Sequence, residues 1–271
     1  MTGLVKVVIF DWAGTMVDFG CLAPVRALQA VLLDQGVEVS EADVRLDMGM
    51  AKRDHIARLL EMPRQREAWL SRHAEAPGEA EIDRLHSAVE PLMIAAAGEC
   101  AQLIPGAREA FEALLAAGVR VGSGTGYTRA MMQAILPKAA AQGYRPEVVI
   151  CAGETARGRP SAEPMLRALS DMGVTAPITA CVKVDDAPVG IAEGRAAGAW
   201  TIGVAASGNA MGLGLEAYLA LSQPERARRL ADARASLQAA KPDYVIDSVA
   251  DLAPALAQIE ARIAAGERPS V

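Results

Sequence analysis

The sequence predicts an α/β fold: a parallel sheet with helices on both faces, and an all-helical cap inserted after the first strand. Three observations predict it. Short, uninterrupted apolar runs alternate with longer helical patterns through most of the chain, as strands buried on both faces do. Gly118, Gly173 and Gly198 each follow a helical pattern and precede an apolar run, the position where a helix end needs positive φ. From Cys21 to Cys100 the alternation stops, and several charged helical patterns replace it with no strand among them.

In chain order, the first strand is Val5–Phe10, which runs straight into Asp11. The helical insert follows, and "IPGAREAF" marks the return to the sheet, with Pro105–Gly106 as its turn. Helix Ala107–Ala117 leads into strand Val119–Ser123, and helix Thr128–Ala141 into strand Glu147–Cys151. Helix Ala162–Met172 precedes strand Thr179–Val184, and helix Val189–Ala197 precedes strand Trp200–Val204. A long helical stretch rich in Arg and Ala, Leu215–Ala240, comes before the last strand, Tyr244–Ile246, and helix Val249–Ala264 closes the pattern. The expected organisation is a Rossmann-like catalytic core of residues 1–20 and 100–271, with a helical cap domain of residues 21–99.

Composition narrows the class. With 271 residues, 52% hydrophobic and 22% charged, the chain can bury a sizeable core. Aromatics are only 4%, so Ala, Val, Leu, Ile and Met must build that core. A net charge of −6, with no Lys/Arg run interleaved with aromatics, argues against nucleic acid as a partner. The four cysteines form no CxxC pair, which favours free thiols in a reducing compartment over zinc or a disulfide scaffold. There is no signal-peptide pattern and no apolar run of the ~20 residues a membrane span needs. A cytoplasmic protein without a membrane partner is expected.

In open α/β sheets, ligands bind outside the carboxyl ends of the strands. The residues there are Asp11, then Thr125 in "SGTGY", then Arg157 and Arg159 in "AGETARGRP", then Asp185–Asp186 in "KVDDAPVG". A lone aspartate after a strand is usually a turn former or cap, and a lone loop arginine is usually solvated. Together and in this order they suit a phosphoryl group. A carboxylate can attack phosphorus, Mg²⁺ binds through one or two carboxylates plus phosphate oxygens, and a hydroxyl and a guanidinium supply hydrogen bonds. Gly14, Gly124 and Gly126 would let backbone N–H groups approach the anion. Position 13, two residues after Asp11, is Ala, where many such enzymes carry a second carboxylate.

"DWAGT", "SGTGYTR", "GRP" and "VDDAP" followed by Gly190 resemble the four ordered motifs of the haloacid dehalogenase superfamily, over the whole chain. The insert lies where the first cap class of that superfamily does. Within it, "FDWAGTMVDFGC", "MGMAKRDHI", "GTGYTRAMM" and "SGNAMGLGLEAY" resemble the phosphonatase family. That resemblance implies Mg²⁺-dependent hydrolysis of the C–P bond of phosphonoacetaldehyde to acetaldehyde and phosphate. It implies Asp11 as nucleophile, forming an aspartyl phosphate, and Lys52 as the amine that forms a Schiff base with the aldehyde. The implied metal ligands are Asp11, the Ala13 carbonyl and Asp186, with Asp185 as a further ligand or an outer partner. Thr125, Gly126 and Arg159 would hold the phosphonate, Arg157 being the rival of Arg159. Tyr127, Met48, His55 and Cys21 would line the aldehyde side. A homodimer through the cap is also implied, for which Trp69, Leu70 and Met93 are candidate contacts.

Physical chemistry supports the lysine's role. A carbanion is a poor leaving group, and an imine on Lys52 lets an enamine leave instead. Met48, Lys52 and His55 are spaced four and three apart and would share a face if the segment is helical. Lys52 must be neutral to attack, which desolvation and nearby positive charge from Arg53 or Mg²⁺ would favour. An enamine needs no proton donor where an alkoxide would, so Ala13 fits this route. Gly124 replaces a hydroxyl residue common in the family, and Gly190 replaces an Asp of some relatives. Three readings compete: a metal-free haloacid dehalogenase, which Asp185–Asp186 and Lys52 oppose; a small-molecule phosphatase, which Ala13 opposes; and a non-enzymatic phosphate-binding regulator.

Overall fold

Six strands form one parallel sheet in the computed structural model, which describes residues 3–48 and 52–270. They are β1 (Val7–Phe10), β2 (Arg120–Gly124), β3 (Val149–Ile150), β4 (Cys181–Asp185), β5 (Trp200–Val204) and β6 (Tyr244–Ile246). Their order is β3-β2-β1-β4-β5-β6, and every neighbouring pair is parallel. All six apolar runs became strands, β5 and β6 with the expected bounds. The expected strand Glu147–Cys151 shortens to the two residues of β3, because an edge strand has only β2 to pair with. Glu147 N–H still reaches the Val121 carbonyl at 2.8 Å.

The sheet belongs to one of two compact units, Met1–Cys21 with Ala101–Val271. Its helices are α6 (Ala107–Ala116), α7 (Arg129–Ala141), α8 (Glu163–Asp171), α9 (Pro188–Ala197), α10 (Leu215–Ala220), α11 (Gln223–Gln238) and α12 (Leu252–Ala264). The other unit, Leu22–Cys100, holds α1 (Leu22–Asp34), α2 (Glu41–Leu46), α3 (Lys52–Glu61), α4 (Pro63–His73) and α5 (Glu79–Glu99), with no strand among its described residues.

Side chains alternate along each strand, and the two faces of the sheet differ in character. Val7, Ile9, Ile150 and Cys181 pack under Met165, Ala168 and Leu169 of α8. On the opposite side Tyr144 meets the rings of Phe10, Trp12 and Phe111 edge-on, at centroid distances of 6.4, 5.0 and 5.1 Å. Four of the ten aromatics gather behind the first strand in this way.

Gly118, Gly173 and Gly198 have φ of 72, 65 and 80°, the left-handed turn expected between helix and strand. The long stretch Leu215–Ala240 is not one helix. Leu221 is extended, and the Ser222 hydroxyl caps α11 by accepting from Glu225 N–H, with Pro224 in the first turn. The expected helix Val249–Ala264 begins as a 3₁₀ turn, Val249–Asp251, before α12. No helix of the described residues is long and apolar enough to cross a membrane.

Within the helical unit, α1 packs along α5. Trp69 and Met93 are buried, so these two candidates for a dimer contact are core residues instead. Leu70 is exposed, as are Leu33, Leu46 and Leu92.

Candidate active site

The connections of the sheet run outward in opposite directions from β1 and β4, so a crevice opens at the carboxyl ends of these two neighbours. Asp11 follows β1, its N–H donating to the Val184 carbonyl at 2.9 Å. Asp185 ends β4 and Asp186 follows it. One carboxylate oxygen from each of Asp11, Asp185 and Asp186 lies within 4.8 Å of the others, and all three residues are buried.

The loop after Asp11 is built around this cluster. The Trp12 carbonyl accepts from Thr15, Met16 and Val17 N–H at 3.2, 2.8 and 2.9 Å. Trp12 itself is anchored by its indole N–H on Ser123 Oγ, at 2.9 Å. Gly14 has φ of 81°, and a Cβ there would stand 2.4 Å from Asp186 Oδ2. Only glycine allows this turn and this approach. Asp186 accepts from Asn209 N–H at 3.0 Å, from the Cys21 thiol at 3.3 Å and from the Thr15 hydroxyl at 3.4 Å. Ser207 Oγ donates to the Gly14 carbonyl at 2.6 Å.

Arg159 ties the rim together. Its Nη1 donates to Asp11 Oδ1 at 2.8 Å and stands 3.5 Å from Asp185 Oδ2. Its Nη2 donates to the Gly124 carbonyl at 2.6 Å, and its Nε is 2.8 Å from Glu193 Oε2. Arg157 points elsewhere: it is exposed and paired with Glu163 at 2.5 Å. The structure therefore brings Arg159 to the cluster and leaves its rival on the surface.

Thr125 is buried, its N–H donating to Ile150 O and its hydroxyl accepting from Tyr127 N–H at 3.1 Å. Gly126 beside it is exposed and Tyr127 is buried. They precede Thr128, which caps α7, so this turn lies at a helix N-terminus, where anions are favoured. At Gly190 a Cβ would come 1.8 Å from Asp185 Oδ2. The glycine there is the space that the Asp185 side chain occupies.

Charge is out of balance in this crevice. Asp11, Asp185 and Glu193 share the two cations Arg159 and Lys183, and Asp186 adds a further acid. Burial and the neighbouring Asp185 raise the Asp11 carboxyl to about 6, against the pull of Arg159 and Lys183. Burial, Asp11 and Asp185 push Asp186 well up. Crowded carboxylates that resist ionising together are a set that a divalent cation would relieve. Hard oxygen donors also suit such an ion. Burial and Asp186 push the Cys21 thiol well up too, so it is a protonated donor on the cluster rather than a thiolate. None of the four cysteines is in a disulfide.

In the helical unit, Lys52 opens α3 and burial lowers its ammonium to about 8. Arg53, expected to assist by its charge, instead pairs with Asp83 at 2.6 Å and with Glu79, and burial alone accounts for the shift. His55 is buried one turn on, pushed down to about 4 by burial and by Lys52. It is therefore neutral at pH 7. Met48 is not on this helix. It follows α2, its N–H reaching Arg45 O at 3.4 Å, and residues 49–51 of the motif lie outside the described residues. The expected shared face holds for Lys52 and His55 only.

Sequence reasoning missed Lys183, Glu193, Ser207 and Asn209 as members of the rim. Lys183 had a signal: it is a charge set between Val182 and Val184 in the apolar run of β4.

The chain matches the family model described as haloacid dehalogenase-like hydrolase over residues 5–198. It is 47% identical over 265 residues to a phosphonoacetaldehyde hydrolase of Paraburkholderia phytofirmans, covering 98% of this chain and 99% of that one. To the phosphonoacetaldehyde hydrolase of Hahella chejuensis it is 42% identical over 267 residues, covering 98% and 90%. A crystal structure of a phosphonoacetaldehyde hydrolase-like protein from Oleispira antarctica superposes with a TM-score of 0.91 at 42% identity, covering 98% of this chain and 96% of that one. The chain is an enzyme of the haloacid dehalogenase-like hydrolase family, alongside the phosphonoacetaldehyde hydrolases it resembles.

Proposed function

We propose that the protein hydrolyses the C–P bond of phosphonoacetaldehyde, giving acetaldehyde and phosphate. The observation that carries this reading is Lys52, whose burial brings its ammonium to about 8. A reactive amine has no use in phosphate-ester hydrolysis, but it can condense with an aldehyde. The names and the near full-length identity of the relatives support the substrate.

Lys52 attacks the aldehyde carbon and water leaves, giving a protonated imine. An Asp11 oxygen then attacks phosphorus as the C–P bond breaks, and that electron pair passes through carbon to the imine nitrogen, leaving an enamine. Arg159, already on Asp11, stays beside the charge as it moves from carboxylate to phosphoryl oxygens. Thr125 and the backbone around Gly126 take the remaining oxygens. Water splits the aspartyl phosphate, the enamine is protonated at carbon, and a second water frees acetaldehyde and Lys52. Ala13 adds no charge beside the phosphonate.

Asp11, Asp185, Asp186 and the Ala13 carbonyl would hold Mg²⁺. The ion would supply charge neutralisation between an anionic nucleophile and an anionic substrate. In this reading Lys52 serves as the amine for the aldehyde, His55, Met48, Tyr127 and Cys21 line the aldehyde side, and Leu70, exposed on the helical unit, serves a homodimer contact.

Borohydride reduction in the presence of phosphonoacetaldehyde tests this directly. The expected result is irreversible inactivation, with a reduced adduct that mass spectrometry places on Lys52. Absence of any substrate-dependent adduct would sink the Schiff-base route.

A further inference from the structure

Two members of the rim have no task in that reaction. Lys183 lies in β4 between Val182 and Val184, beside Ile9 of β1 and Thr201 of β5, and is fully buried. Its stem lies under α9 at Gly194, where a Cβ would stand 2.6 Å from Lys183 Cβ. Its Nζ is 3.0 Å from Asp185 Oδ2 and 3.7 Å from Glu193 Oε2. Glu193, on α9, is fully buried as well.

Burying such a pair is costly, and apolar residues of similar size are often as stable or more so. Stability alone is thus a poor reason for charges in an otherwise apolar layer. What the pair does geometrically is hold Arg159. Glu193 stands against Nε, the Gly124 carbonyl takes Nη2, and the remaining edge meets Asp11. The hydrogen bond to the Gly124 carbonyl and the Glu193 charge beside Nε together restrain the guanidinium with Nη1 toward Asp11.

We propose that Glu193, backed by Lys183, is a positioning residue that fixes Arg159 for the anion received at Asp11. The proposal rests on reading Asp11 as the nucleophile toward a phosphonate. Lys183 offsets the Glu193 charge, so Arg159 keeps a net positive edge for the incoming anion instead of being neutralised from behind.

The test is the double variant Lys183→Met/Glu193→Gln, which keeps side-chain volume and net charge, with Glu193→Gln alone beside it. A thermal melt first establishes that the double variant folds, because Lys183 also faces Asp185 and Glu193 also faces Arg159. The double variant's kcat on phosphonoacetaldehyde should fall about tenfold, the worth of a charge-assisted contact. Inorganic phosphate, titrated calorimetrically into the Mg²⁺-treated protein, should bind about threefold or more weakly for the same lost contact. Unchanged kcat and unchanged phosphate affinity in the folded double variant would overturn the proposal. If the double variant does not fold, Glu193→Gln carries the test through its kcat, unchanged turnover overturning it. Should the wild type not turn over phosphonoacetaldehyde, the functional reading fails by itself. Phosphate calorimetry on the same proteins then still decides whether Glu193 acts on Arg159.

Discussion

Arg159 Nη1 lies 2.8 Å from Asp11 Oδ1, although 148 positions separate the two residues. Asp11 is buried and the Arg159 side chain is 12% exposed, so the pair is poorly screened by water, and without Arg159 the Asp11 carboxylate loses its hydrogen-bonded counter-charge. Replacing Arg159 by Ala should cost about 3–5 kcal/mol in unfolding free energy. It should also lower kcat/KM at least ~100-fold, as loss of an oxyanion partner does. Arg159→Lys should recover stability in part and activity little, since one ammonium cannot meet Asp11, Glu193 and the Gly124 carbonyl together. Chemical denaturation and steady-state kinetics check both halves.

Lys52 makes the reaction pH-dependent. Its ammonium lies at about 8 instead of 10.5, so kcat/KM should rise through pH 8 as the free amine forms, and level above it. Stability has the same sign. Between about 8 and 10.5 the unfolded chain binds the proton that the folded chain has released, so unfolding free energy increases with pH across that window. Lys52→Met should remove this increase along with all activity. Denaturation midpoints from pH 7 to 11 give the comparison.

His55 acts with the same sign at the acid end of the scale. Burial and Lys52 push it to about 4 from 6.5, so the folded protein resists protonating it. As pH falls from 6.5 toward 4 the unfolded state takes up the proton first, and stability declines. A His55→Gln variant should show a flatter acid limb in thermal melts. An acid limb identical to that of the wild type would show that other groups control it.

Gly190 and Asp185 compete for one space. A Cβ at 190 would stand 1.8 Å from the Asp185 carboxylate, so Gly190→Ala should destabilise the protein by about 1–3 kcal/mol through overpacking. Adding Asp185→Gly should recover part of the melting temperature by removing the clash, the loss of Lys183's counter-charge limiting the gain, without restoring activity. If the double variant melts no higher than Gly190→Ala alone, the clash is not the cause.

Treatment with EDTA should abolish turnover, and Mg²⁺ should restore it. Independently of activity, Mg²⁺ should raise the melting temperature by stabilising the folded state. Asp186→Asn should lose most of that shift. Full activity in EDTA would remove the ion from the proposed chemistry.

The succession of strands along the chain and the acids at their ends were legible because both are local properties. An apolar run of five residues and the aspartate after it need no partner to be recognised, and the glycines at 118, 173 and 198 mark helix ends through their own backbone conformation. Element ends were less legible. The two-residue β3 depends on having a single neighbour, and the break at Leu221–Ser222 depends on a cap hydrogen bond. Met48 looked like a companion of Lys52 by spacing alone, yet it follows α2 while α3 begins at Lys52.

By itself, the sequence determined the alternation of strands and helices, the acids and hydroxyl at the strand ends, and the absence of a carboxylate at Ala13. Each is written in consecutive residues, where side-chain period and backbone preference act. Tertiary structure alone decided that Arg159 rather than Arg157 meets Asp11. It also decided that Gly190 makes room for Asp185, and that Lys183 and Glu193 stand behind the arginine. Those facts depend on which charges are brought together out of water, and that follows from the closing of the parallel sheet and the packing of α9 upon it.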